Sequence, residues 1–427
     1  MSAMIHRSPR RQRGVAALFV TVMLCLAMVL AIAVAHRNVV VEEQRSANEA
    51  RAAIAFEAAE AGLEWALARV NDPSRMGPNC LPSADATARS FRDRLIRIDV
   101  PSGEFTPRTW NDAGTPARLQ AACVRGADGW VCSCPAGGRP ALPAPLGTAL
   151  APAFVVELAA ASRPDVVRVV ATGCTRTGAG GACAASTDVA NEATARLEVA
   201  WALVPALRAV PAAALTVQGD VDIGAASLGV HNTDAASGGL AVHAGGRIAA
   251  SALRVGVPRG SPLGTSLAAD DAGLRALPGD RFFARTFGMG LVAWAAQPAA
   301  RRVVCANDCR RALEAVIDAG ARLLVIDGDA MITGPAAFGS ADDPVALVAA
   351  GALRISGDVA IHGVVYAASF EWNDVAPGGG SIDGAAIVGG TYRGNGAVDV
   401  RRDAAALARL AAANGSFVRI NGSWKDF

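Results

Sequence analysis

Lysine is almost absent from this chain. Of 427 residues only Lys425 is lysine, so nearly all positive charge is arginine. That bias follows genome base composition as readily as function and points to no mechanism. Aromatics are also sparse, at 5%. The short signatures of common catalytic centres are missing. There is no Gly-x-Ser-x-Gly, no Walker loop and no His-Glu-x-x-His, so these familiar hydrolase, nucleotide and metalloprotease readings have nothing to rest on. Asp327-Gly-Asp329 starts like a calcium loop, but Met331 and Thr333 occupy later ligand positions and no Glu closes it, which leaves turn aspartates. Asp342-Asp343 precede a proline and read as loop. His231, His243 and His362 sit in unrelated glycine-bearing contexts and read as surface or rung histidines. The sequence therefore points to no enzyme, no resident metal and no cofactor.

The formal net charge is +2. Arg7, Arg10, Arg11 and Arg13 all precede Gly14, so loss of that leader would bring the formal charge to about −2. A nearly neutral body argues against nucleic acid as the main partner. The length allows two or three domains with proper cores. Nine cysteines are present. Cys25 lies in an apolar run. Cys80, Cys123, Cys132, Cys134, Cys174, Cys183, Cys305 and Cys309 lie beyond it, an even set that suggests an oxidising compartment and up to four disulfides. Connectivity is not legible, although Cys174–Cys183 and Cys305–Cys309 are the easiest local pairs. Zinc at Cys132-Ser-Cys134 is the competing reading, against which stand the wrong spacing and the lack of a nearby His.

Val15 to Ala35 is an unbroken apolar run apart from Thr21 and Cys25. As a helix it measures about 32 Å, enough for a bilayer core of ~30 Å. Secretory h-regions are shorter and end at a small-residue cleavage site, whereas this run continues into His36-Arg37-Asn38. Arginine is denser before the span than after it, which keeps the N-terminus cytoplasmic and sends the body outward. Helix-breaking residues are then missing up to Val70, apart from Gly62. Ala52, Phe56, Ala59, Leu63, Leu67 and Val70 form one apolar stripe. Arg45 and Glu49 can pair at i,i+4. Asn71-Asp72-Pro73 ends the pattern. The expectation is one helix of about 55 residues, all-apolar first and amphipathic second.

Basic leader, glycine, apolar half-helix, amphipathic half-helix: this order resembles the N-terminal region of PilX-type minor pilins of type IV pili. Over residues 11–67 the resemblance rests on Arg13-Gly14, Glu42-Glu43 and Ala55-Phe56-Glu57-Ala58-Ala59-Glu60-Ala61. The ending RINGSWKDF, 419–427, is similar to that of many PilX-like chains. The resemblance implies cleavage after Gly14 by prepilin peptidase, leaving Val15 as an N-methylated terminus on a retained helix. It implies a subunit anchored in the inner membrane with its body periplasmic, later carried into the pilus among other minor and major pilins. It also implies assembly roles for Phe19, Glu42, Glu43 and Phe56. Phe19 departs from the family, since most pilins place Glu at the fifth mature residue, where it is thought to pair with a neighbour's terminal amine. An uncut single-pass anchor is the plainer alternative.

Residues 73–145, rich in Pro, Gly and Cys, read as stapled loops. Phe154–Leu158, Asp165–Ala171 and Ala195–Val204 read as three antiparallel strands over the amphipathic half-helix, whose packed face would include Phe56 and Leu63. From about 212 the motif Gly-Asp-x-x-Ile recurs at 219, 328 and 357, with a weaker echo at 382. Such short β segments suggest stacked solenoid-like rungs, with glycine-linked hairpins as the competitor. Helices are expected at Arg310–Ala319 and Ala404–Ala413. The fold class is thus α+β, mainly β. Residues 1–14 form a leader, 15–72 the helix, 73–205 a disulfide-containing pilin-like head, and 206–427 a solenoid-like domain. A filament-tip adhesin is one alternative function, with Trp372 and Trp424 as exposed aromatics. A β-helix envelope enzyme is another, disfavoured because no clustered acids sit on a repeated rung position. If the leader is cut, mass spectrometry of the mature chain starts at Val15, and Gly14→Val leaves a heavier precursor in the membrane. A wild-type chain still intact from Met1, in cells with active prepilin peptidase, refutes this.

Overall fold

The computed structural model describes residues 14–427 except 86, 101, 141, 143–149, 178–182, 184–191 and 377. The basic leader before Gly14 lies outside the described residues. One helix, Gly14–Asn71, runs for 58 residues, about 87 Å at 1.5 Å per residue. It ends where the proline at 73 requires.

An antiparallel sheet wraps the second half of this helix. Its order is Gly415–Arg419, Thr194–Pro205, Val166–Cys174, Ala153–Ala160, Gln120–Arg125 and Trp130–Ser133, with Lys425–Asp426 also on Thr194–Pro205. The three expected central strands are therefore present and antiparallel. The stripe expected on the helix is rotated. Ala52 is exposed, and the face turned inward is Ala55, Ala58, Ala59, Gly62, Leu63, Ala66 and Val70. Small residues win because the backbones approach closely. A Cβ on Gly173 would stand 2.1 Å from the Ala55 carbonyl oxygen, and one on Gly62 would meet the Phe154 ring at 2.9 Å. Around this seam pack Trp65, Phe91, Phe154 and Trp201.

The 73–145 stretch is more regular than a stapled loop. It contains the helix Phe91–Leu95 and the antiparallel pairs Ile96–Asp99 with Glu104–Pro107, Thr109–Asp112 with Thr115–Arg118, and Gln120–Arg125 with Trp130–Ser133. Strands of four to six residues are too short to show periodicity among so many prolines and glycines. The C-terminal residues 415–426 also depart from the texture-based division, because they join the antiparallel sheet rather than the solenoid-like body.

That body is a large curled sheet whose strands are all parallel. Leu215–Val217 lies beside Gly380–Val388, and Val221–His231 lies beside Tyr392–Gly394 and Val398–Arg402. On one side of this seam follow Val242–Ala244, Ile248–Gly256 and Leu267–Ala268. On the other follow Val359–Asn373, Val345–Ser356, Leu323–Ile326 and Ala300–Arg302. Between the two arms the chain crosses one face as short helices at 272–295. These bury Phe282, Phe283, Phe287 and Trp294 against Val348, Val364 and Tyr366.

The Gly-Asp-x-x-Ile motif has a structural meaning. Val221, Ala330 and Val359, together with Ile223, Ile332 and Ile361, point into the curl and are buried. The aspartates face the next coil. Asp220 accepts from the Arg247 N–H at 2.8 Å and Asp329 from the Ala352 N–H at 2.8 Å. A Cβ on Gly246, Gly351 or Gly379 would collide with Asp220, Asp329 or Asp358. Each aspartate thus sits on a glycine of the following coil, which explains the pairing of the two residue types.

The helix end ties both bodies together. The Asn71 side-chain amide donates to the Phe417 carbonyl at 2.9 Å, and its oxygen accepts from the Phe417 N–H at 2.7 Å, all buried. Asp72 pairs with Arg301 at 3.0 Å on the edge of the parallel sheet. Arg92 donates to Val70, Ala413 and Gly415 carbonyls, and burial pushes its guanidinium down to about 10, so it stays charged at neutral pH. Asn71→Ala leaves two buried backbone groups unmet, each costing roughly 1–3 kcal/mol. Thermal denaturation should register that loss, whereas Asn48→Ala on the exposed helix should not shift the midpoint. Equal midpoints for Asn71→Ala and wild type would show that the clasp does not hold the junction.

Candidate functional site

Functional surface in this molecule starts with apolar side chains that no part of the body covers. From Val15, 68% exposed, through Phe19, 63%, to Val41, 55%, the large apolar residues of the helix face outward on every side. A soluble fold cannot leave so long a hydrophobic cylinder in water, because burial is favourable by about 25 cal/mol per Å². Val15–Asn71 is long and apolar enough to cross a membrane. The chain thus has an N-terminal membrane anchor or signal, and its disulfides indicate a body outside the cytoplasm.

The expected site residues are spread along this helix rather than gathered. Gly14 and Val15 form its first turn and Phe19 lies just beyond. Glu42 and Glu43 are exposed where the apolar stretch gives way to polar residues, and the Arg45–Glu49 pair forms at 3.0 Å. Phe56 is half-buried, its ring 6.4 Å from that of Trp424. Trp424 is 39% exposed, whereas Trp372 is fully buried and donates to the Gly357 carbonyl at 3.1 Å. Trp372 is therefore a core residue and is removed as an exposed aromatic.

The eight cysteines beyond the anchor form four disulfides: Cys80–Cys134, Cys123–Cys132, Cys174–Cys183 and Cys305–Cys309. Cys123 and Cys132 are register partners on adjacent antiparallel strands, with Cα atoms 4.1 Å apart. Cys80–Cys134 anchors the loop after the helix to the end of that hairpin, and Cys305–Cys309 leads into the helix Arg310–Asp318. Cys25 remains a thiol, exposed on the apolar helix.

The polar groups that could carry chemistry are dispersed. His231 faces Asp399 at 3.2 Å, and His243 faces Asp271 at 2.7 Å. The His243 contact, then the Leu274 N–H, holds the Asp271 carboxyl below its usual range. Neither pair gains a further His, Cys, Asp or Glu, and no group of three metal-capable side chains occurs among the described residues. Asp329 is occupied as a turn acceptor. Sequence reading missed Asn71, whose place at the end of an apolar stripe looks like an ordinary helix stop, and Arg92. The only signal for the latter was arginine density over 89–97. No protein-family model, curated protein or solved structure matches the chain.

Each bridge of this kind typically stabilises by ~2–4 kcal/mol. Thiol titration of denatured, unreduced protein should detect Cys25 alone, and full reduction should release all nine thiols. Several reactive thiols in protein purified without reductant would contradict the pairing.

Proposed function

We propose that this chain is a minor pilin of a type IV pilus, resembling the PilX-like kind, that primes or caps the filament at its tip. The observation that carries the reading is one helix divided into an uncovered apolar half and a half docked under an antiparallel sheet. Before assembly the uncovered half sits in the inner membrane, with the N-terminus cytoplasmic and the body periplasmic. On assembly the helices of neighbouring minor and major pilins replace the acyl chains around it. Prepilin peptidase removes the leader first.

Phe19 supports the tip position. A carboxylate in hydrocarbon costs several kcal/mol unless paired. Phe19 carries no such cost and offers no pairing, which suits a subunit with a neighbour missing on one side. The body is bulky for a shaft repeat, at 43.3 kDa for the whole chain. Two bodies side by side beyond one helix leave little room for identical copies stacked closely. Immunogold labelling of sheared pili should place few copies, at one end only; regular gold along the shaft overturns the tip role. Phe19→Glu should leave piliation no higher than wild type, and a rise would show the missing carboxylate to be a defect rather than a position signal.

A further inference from the structure

Arginine in this protein often pairs with a carboxylate. Arg301, Arg302, Arg322, Arg402 and Arg409 each reach an aspartate. The segment between the helix and the antiparallel sheet gathers several that do not. Arg89, Arg97 and Arg108 form no ion pair with a carboxylate among the described residues. Arg94 donates to the Arg89, Met76 and Pro135 carbonyls, with no carboxylate among these partners. Burial, then the neighbouring Arg89 charge, holds the Arg94 guanidinium below its ordinary value.

These four arginines line one cleft of about 500 Å³, with Trp110 and Thr109 on its wall and no acid among its lining residues. The Nε of Arg108 is buried there without a hydrogen-bond partner among the described residues. A second cleft of about 440 Å³ shares Arg89, Arg97 and Arg108 but includes Asp72, Asp93, Asp342 and Asp343. That second cleft also holds Arg75, Arg92, Arg322 and Arg409, so what sets the Trp110 end apart is positive charge without a lining acid. The volume falls within the usual range for small-ligand sites. Guanidinium forks match carboxylate and phosphate oxygens in pairs. An indole beside them offers an apolar face to a sugar ring, and the threonine hydroxyl can donate or accept at ring hydroxyls.

We propose that this cleft binds an acidic saccharide, with its carboxylate held by Arg89, Arg97 and Arg108 and its ring against Trp110. The charge is a compact cluster rather than the long basic stripe that a nucleic-acid backbone requires. A headgroup of the anchoring membrane is out of reach. Arg92, on the helix that carries Arg94, bonds to Val70, and Val70 lies about 50 Å along the helix from Ala35, at 1.5 Å per residue. This site is independent of the pilin reading and differs from an adhesive surface on the parallel sheet.

The test titrates the full chain in detergent with trigalacturonate, its methyl ester, inorganic phosphate and a short single-stranded oligonucleotide, using calorimetry at about 0.15 M salt. Trigalacturonate should bind at least about tenfold tighter than the ester, and more weakly as salt rises. The double variant Arg89→Gln with Arg97→Gln, both exposed, should lose about tenfold in affinity without a change in melting temperature. Trp110→Ala should weaken the saccharide but not phosphate. Equal binding of acid and ester, an unaffected double variant, or no binding by trigalacturonate overturns the proposal. So does phosphate binding as tight as the saccharide, which marks an inorganic-anion site, or a tighter oligonucleotide, which marks a nucleic-acid site.

Discussion

Two hydrogen bonds of one side chain join the end of the helix to the body. Asn71 clasps Phe417 across a sequence separation of 346 residues. Asp72, its neighbour, takes hold of the parallel sheet through Arg301, and Ser416 beside Phe417 accepts from the buried Ala299 N–H. Helix end, C-terminal strand and solenoid-like body therefore meet within a few residues. The clasp adds to the backbone ladder by which Gly415–Arg419 pairs with Thr194–Pro205. Arg92 strengthens the same point by satisfying carbonyls from the helix end and from the chain just before the C-terminal strand.

How much of this was legible in sequence varies by element. Val15–Ala35 was legible as a membrane span or a signal from its length and polarity. The Gly-Asp-x-x-Ile motif was legible as a rung because its inward and outward positions alternate. What it could not reveal was coil order, since a rung does not say which other rung it stacks on. The helix stripe was misplaced toward Phe56 and Leu67, which are large but only half-buried. Hydrophobicity alone cannot anticipate that Gly173 and Gly62 let the backbones come close and hand the contact to alanines. Trp372 was misread for a similar reason: an indole between Glu371 and Asn373 looks exposed unless strand alternation is given more weight than its polar neighbours.

The candidate site divides the same way. Exposure of the apolar half-helix was foreseeable, because nothing in the sequence offered it a covering face. The arginines at 89, 94, 97 and 108 come together only because a short helix and a hairpin fold back over one another, a tertiary event with no periodic trace. The disulfides lie between these cases. The spacing of Cys123 and Cys132 is compatible with a hairpin, yet Cys80–Cys134 needs the geometry of the loop after the helix.

The seam of the parallel sheet carries a consequence for synthesis. In an ordinary solenoid each coil stacks on the one before it, so the structure can grow as the chain emerges. Here the first coil, at 215–231, stacks on the last, at 380–402, and the early arm has no neighbour on that side until the late arm arrives. Val221, Ile223 and Val230 stay open to water through some 150 residues of further translation and export, and contacts this distant in sequence slow folding. The two arms join at a seam that forms last. A chain stalled or cut short before residue 380 presents unpaired strand edges in place of the finished seam, and such edges invite aggregation.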